Sequence, residues 1–285
     1  MLATAAIKRQ GEAWLAELRS GPPAILTQAT PHLEHLRDPS TPRHLAYEHF
    51  LRDPAGERIR WADMHVHQIE HIQTAHAKGY HAGVLAPLGH GKTTLHVVGA
   101  TLDDMGLYPD WPQQIVSASG EIAQDRLEAV MGYVELSDAY RELYPWVRPA
   151  VEGNKRKDWS KTSLTIDRKA IMPDPTLRGV GVVSKRTGSR TRRTRFDDIE
   201  DIDSLSQAVR KARANAVWNK WLRRIDPPHG RAVWVGTPQH VEDLNHVLVR
   251  TPGWSVLIQA VRADFKRIEW VVVENPRPEV ETLGV

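Results

Sequence analysis

Cysteine is absent from the 285 residues, which excludes disulfide staples and thiolate metal sites and leaves a hydrophobic core as the source of stability. No apolar run approaches the roughly 18 residues that a membrane-spanning helix needs. The opening MLATAAIKRQ also lacks the long apolar stretch of a secretory leader, so a cytoplasmic chain that meets no membrane is expected. Neither HExxH nor CxxC occurs, so the scattered histidines, including the alternating His65 and His67, read as core or solvated side chains rather than metal ligands. Net charge is low as well, +3, but it is unevenly placed. Lys185 to Arg195 is basic and Asp197 to Asp203 acidic; such a reversal is a local electrostatic device, a solvated loop when isolated and a phosphate or DNA contact when beside a nucleotide site.

What is present is ordinary for a globular chain, with 41% hydrophobic and 26% charged residues, enough to bury one large domain. Residues 1–60 mix helical stretches, GEAWLAELRS and HLAYEHFLRD, with the breakers GPP and DPSTP, and read as a helical lead-in. A helix is predicted from Met64 to Ala77, stopped at Gly79. From residue 81 strands and helices alternate: HAGVLA, a helix over 92–105, QQIVSAS at 113–119, a helix over 120–137, short strands at SLTI and GVGVV, a helix from Ser204 to Arg224, RAVWVG, a helix near 241–250, then WSVLIQAV and IEWVVV. That order predicts an α/β fold with a mostly parallel central sheet flanked by helices. Residues 61–275 are expected to form this domain and 276–285 a polar tail.

Three segments carry chemistry. Ala86-Pro87-Leu88-Gly89-His90-Gly91-Lys92-Thr93-Thr94 lies between an apolar strand and a helix. In a P-loop the glycines let backbone N–H groups converge on anionic oxygens, the helix N-terminus adds its positive end, Lys92 reaches the β- and γ-phosphates, and Thr93 ligates Mg²⁺. Pro87, Gly89, His90, Gly91 and Thr94 complete the cradle; the full pattern would place glycine at 86, where the chain has alanine. Such a site needs carboxylates for the metal and for the attacking water. Asp197 is the candidate for Mg²⁺, Asp198 for the water, and Glu200 for an alternative base, although the preceding TRRTR is polar where a buried central strand should be apolar. Thr237, ending the strand in VWVGTPQ, is placed to sense the γ-phosphate.

In this order the segments resemble the ATPase domain of the large terminase subunit of tailed bacteriophages, over roughly residues 60–260: APLGHGKTT as Walker A, IVSASGEIAQDRL as the strand and helix after it, GVGVVSKRTGSR as the loop before Walker B, FDDIED as Walker B and VWVGTPQHVEDL as the coupling motif. The resemblance implies an ASCE-like P-loop NTPase fold and ATP-driven movement of double-stranded DNA into a procapsid. Its expected partners are the portal protein and the small terminase subunit, with a homo-oligomeric ring on the procapsid, in the cytoplasm of an infected bacterial host. It implies that Lys92 and Thr93 bind phosphate and Mg²⁺, Asp197 supports the metal, Asp198 is the catalytic carboxylate and Thr237 couples hydrolysis to motion. Trp61, His65 and Gln68 stand where the family places base-contacting residues. Many members carry an arginine finger inside Walker A; the corresponding residue here is Leu88, so Arg186, Arg190 and Arg192 are the candidates for a finger or a DNA contact, if need be toward a neighbouring subunit. The nuclease domain that usually follows needs well over a hundred further residues, so no DNA cleavage is expected from this chain alone. A helicase or helicase loader would share the Walker motifs, and a non-catalytic nucleotide-binding assembly module would share a weakened loop.

Overall fold

In a computed structural model the described residues are 31–53, 56–59, 61–185, 190–200, 206–240, 242–261 and 268–277. The predicted helix GEAWLAELRS, the tail beyond 277 and Arg186 lie outside them. Two helices, α1 (Pro31–Arg37) and α2 (Arg43–Phe50), precede α3 (Asp63–Ala77) and the first strand, β1 (His81–Leu85). A π-helical turn, Thr93–Gly99, passes into α4 (Ala100–Leu107), followed by β2 (Gln113–Ser117), α5 (Gly120–Leu136) and α6 (Asp138–Leu143). Short strands β3 (Val151–Glu152), β4 (Lys155–Arg156) and β5 (Ser163–Leu164) lead to β6 (Leu177–Gly181) and β7 (Arg193–Asp197). After α7 (Gln207–Ala216), which continues as π and 3₁₀ turns to Arg224, come β8 (Arg231–Gly236), α8 (Leu244–Leu248), β9 (Trp254–Val261) and β10 (Ile268–Asn275).

One eight-stranded sheet organises the chain in the order β10-β9-β1-β8-β7-β2-β6-β5. The six inner strands are parallel; β10 and β5 close the two edges antiparallel. The expected α/β class and mostly parallel sheet are therefore found. Parallel strands covered by helices on both faces must be apolar on both, and alternation along β8 shows it: Val233 and Val235 join the core on the side of α3 and α5, Ala232 and Trp234 the core on the side of α7 and α8. Leu33, Leu36, Tyr47 and Phe50 of the lead-in helices belong to the first of these cores. Helix α5 seats Ala123, Leu127, Val130 and Val134, one apolar stripe, starting from the Ser119 hydroxyl, which accepts a bond from the Ile122 N–H at 3.2 Å. It sits so close to β6 that a Cβ at Gly181 would stand 2.8 Å from the Gly120 nitrogen.

β7 corrects the expectation that a central strand is apolar. Arg195 is buried, yet its guanidinium meets Asp104, donates to Gln113 Oε1 at 2.7 Å and to the Ala100 carbonyl at 2.8 Å, while Thr194 accepts from Gln114 at 3.0 Å. The strand is tolerated because most of its polar groups are answered by neighbouring elements, Arg195 Nε being a buried exception. Other boundaries shift: SLTI supplies only Ser163–Leu164, the GVGVV strand lies earlier at Leu177–Gly181, and the helix near 241–250 contracts to Leu244–Leu248. Among the described residues no helix is long and apolar enough to cross a membrane.

Candidate functional site

In this sheet order one strand, β8, separates β1 from β7, so the segments leaving β1, β7 and β8 meet at one carboxyl edge. The segment after β1 folds back through Gly89 (φ 76°) and Gly91 (φ 69°), left-handed conformations that favour glycine. No heavy atom lies within 4 Å of a Cβ built on Gly89, so its requirement is conformational rather than steric. Lys92 then enters the helical turn. Its buried ammonium donates to the carbonyls of Ala86 and Pro87, each at 2.7 Å, and to the Thr237 hydroxyl at 2.9 Å; that hydroxyl donates onward to Ala86 at 3.2 Å. All three Lys92 donors are thus held by neutral oxygens. Burial pushes the ammonium pKa down, against the opposing pull of Asp198 and Asp197.

The carboxylates arrive from β7. Asp197 is fully buried, with Oδ1 accepting from the Thr93 hydroxyl at 2.9 Å and Oδ2 from Arg126 Nε at 2.8 Å. Asp198 adopts φ 41°, a left-handed conformation uncommon outside glycine, while its N–H donates to the Val235 carbonyl at 3.1 Å. Burial raises its carboxyl above the usual range and neighbouring Asp197 adds to this, with Lys92 and Arg126 opposing. The structure therefore gathers Lys92, Thr93, Asp197, Asp198 and Thr237, from three separate stretches of chain, into one cluster.

Other expected residues are placed elsewhere. Glu200 accepts a bond from the Leu244 N–H at the start of α8 through Oε2, while its Oε1 is buried without a hydrogen-bond partner among the described residues and burial raises its carboxyl above the usual range. Gln68 is fully buried, its amide donating to Gln259 at 2.6 Å and its oxygen lying 2.8 Å from His96 Nε2; that amide is a core bridge and not a purine contact. Trp61 remains beside the loop, its ring 6.1 Å from that of His65, whose Nε2 would lie 3.6 Å from a Cβ at Gly91. Arg190 and Arg192 lie before the amino end of β7, facing Asp226 at 3.9 and 3.1 Å. A five-residue strand spans roughly 15 Å, so neither reaches the carboxyl-edge cluster of its own chain. The residue that sequence reasoning missed is Arg126. It borders the apolar stripe of α5 one turn after Ala123, and a charge at the margin of a buried face was the available signal.

Among the described residues there is no cluster of three or more His, Asp or Glu that would hold a metal by protein ligands alone. A threonine hydroxyl hydrogen-bonded to a carboxylate is instead a hard-oxygen donor pair, the kind Mg²⁺ uses together with waters and substrate phosphates.

No family model matches the chain, and no curated protein matches it. Among solved structures it is similar to the HK97 bacteriophage large terminase, at 15% identity and a TM-score of 0.48, the match covering 71% of this chain and 38% of that one. The likeness is one of fold, and this chain matches little more than a third of that protein's length.

Proposed function

We propose that the chain is a Mg²⁺-dependent P-loop ATPase of ASCE-like type, and that it serves as the motor domain of a DNA-packaging terminase. The observation that carries the first part is the position of Lys92: a buried ammonium, satisfied only by neutral oxygens, beside a Thr–Asp pair and a carboxyl with a raised pKa. A charge so held gains by exchanging those oxygens for phosphate oxygens. Pro87, Gly89, His90, Gly91 and Thr94 frame the phosphates, with Trp61 beside the base. Thr93 and Asp197 would hold Mg²⁺, which when bound would offset the negative charge of the phosphates. Water attacks the γ-phosphorus, the bond from phosphorus to the β–γ bridging oxygen breaks, ADP leaves with that electron pair, and Asp198 receives the water proton. Burial and Asp197 suit Asp198 to this step, because a carboxylate with a raised pKa is the stronger base. Thr237, bonded to Lys92 and standing at the end of β8, is the link by which phosphate loss reaches the strand.

The second part rests on the three motifs and their resemblance to terminase ATPase domains. It assigns double-stranded DNA as the cargo, the portal protein and small terminase subunit as partners, and a ring of like subunits on the procapsid as the working assembly. The test is ATP hydrolysis by the purified chain with and without duplex DNA and Mg²⁺. Turnover that needs Mg²⁺ and rises with duplex DNA is expected. Unwinding of a forked duplex would move the assignment to a helicase, and binding without turnover to an assembly module.

A further inference from the structure

We infer that Arg126 is the charge-stabilising arginine of this site, acting on the nucleotide bound by its own chain. This deepens the assignment above and rests on it. The loop offers no arginine: the position where one would stand is Leu88, 72% exposed, and Arg190 and Arg192 lie toward the amino end of the sheet. Arg126 rises from α5, whose first turn is fixed at the end of β2 by Ser119, and its guanidinium reaches Asp197.

The manner of that contact is informative. Only Nε is engaged, donating to Asp197 Oδ2 at 2.8 Å; among the described residues neither terminal nitrogen has a hydrogen-bond partner, and the side chain is 29% exposed. Asp197 uses its other oxygen for Thr93, which adjoins Lys92. An arginine serving only as a brace for a buried carboxylate would use its fork bidentately, the stronger geometry. Here the carboxylate holds the guanidinium by one nitrogen and leaves the two-nitrogen edge without a partner among the described residues, with the guanidinium near enough to Asp198 to oppose the rise of its carboxyl pKa. That edge matches two oxygens of a phosphoryl group, and charge on those oxygens shifts toward the bridging oxygen as the bond to the leaving ADP breaks. Arg126 therefore contacts the γ-phosphoryl group, and Asp197 orients it while supporting the cation.

The test compares Arg126→Ala and Arg126→Lys with Lys92→Ala in the full chain, measuring turnover, ADP affinity, thermal unfolding and trapping by ADP with aluminium fluoride. Expected are a ~10³-fold loss of kcat in Arg126→Ala, ADP affinity within about threefold of the parent, and loss of aluminium fluoride trapping. Arg126→Lys keeps a cation for Asp197, so it controls for folding; it should unfold like the parent yet recover little turnover, because an ammonium lacks the fork. Turnover retained in either Arg126 variant while Lys92→Ala is inactive would overturn the role of Arg126 and leave the ATPase assignment standing. Turnover retained in Lys92→Ala would overturn the assignment itself. Mixing Arg126→Ala with Asp198→Asn chains separates the two routes: no recovery is expected, and recovered turnover would mean that the arginine serves a neighbouring copy.

Discussion

The two ends of β7 gather charged side chains and handle them in different ways. At the amino end each cation has an acid: Arg193 and Arg195 share Asp104, Arg192 faces Asp226, and Arg193 also lies 4.5 Å over the Trp111 ring. At the carboxyl end Asp197 has Arg126 as its counter-charge, but Lys92 is held by a hydroxyl and two carbonyls, and Asp198 is buried beside another acid. Charges given a counter-charge hold the sheet together; charges given only dipoles are kept ready for a charged ligand.

The sharpest way to break this contrast is at Lys92 and Asp198. Lys92→Ala and Asp198→Asn should each lower ATP turnover by on the order of 10³-fold, measured as phosphate release at saturating ATP and Mg²⁺. Their effects on folding should differ from that loss. A carboxyl whose folded pKa is raised destabilises the fold once pH exceeds its unfolded value, so the cost is present at neutral pH and disappears in acid. Asp198→Asn should therefore melt no lower than the parent at neutral pH while being inactive. At the amino end the pattern should invert. Arg195→Met leaves Asp104 short of a buried partner and should cost about 3 kcal/mol in urea unfolding, with turnover per folded molecule retained.

A smaller effect should appear on acidification. Burial holds His96 neutral, down to a pKa of about 3, so below the ordinary histidine value the unfolded chain takes up a proton that the folded one refuses. Stability should fall by ~1.4 kcal/mol per pH unit from this residue, beginning near pH 6.5 and ending near pH 3; His96→Gln should flatten the slope of urea midpoint against pH. The smallest effect belongs to Arg190, whose side chain is 74% exposed and 3.9 Å from its acid. Arg190→Gln should change stability by less than about 0.5 kcal/mol and leave DNA-free turnover as it was. If the arginine does meet duplex DNA, the salt dependence of binding should lose roughly one unit of slope.

What was legible in the sequence follows the distance over which each feature is determined. The glycine loop and β1 were readable because an apolar strand, Gly89, Gly91 and Lys92 follow one another between residues 81 and 92. The alternation of strands and helices was enough for a parallel sheet, though the order that places β8 between β1 and β7 is a property of the assembled sheet. Side chains whose meaning lies in a distant partner were misjudged. Gln68 looked like a ligand contact because Gln259, 191 residues on, cannot be paired with it by inspection. Arg195 looked unfit for a central strand because Asp104 and Gln113 come from elsewhere. Arg126 was passed over because Asp197 is 71 residues away.

The sheet is finished unequally at its two flanks. On one side β5 is a two-residue strand that leaves little ladder to extend. On the other, β10 runs for eight residues, with Trp270, Val271 and Val272 each about half exposed and no described strand on its outer side. An open, β-branched ladder of that length is a template on which another chain can crystallise or clot, since it bears few of the lysines, prolines or bulges that blunt such edges. The practical consequence is one of handling: concentration, rather than temperature, will set how long the purified chain stays in solution, and a lysine at Val271 or Val272 is the substitution that should extend it.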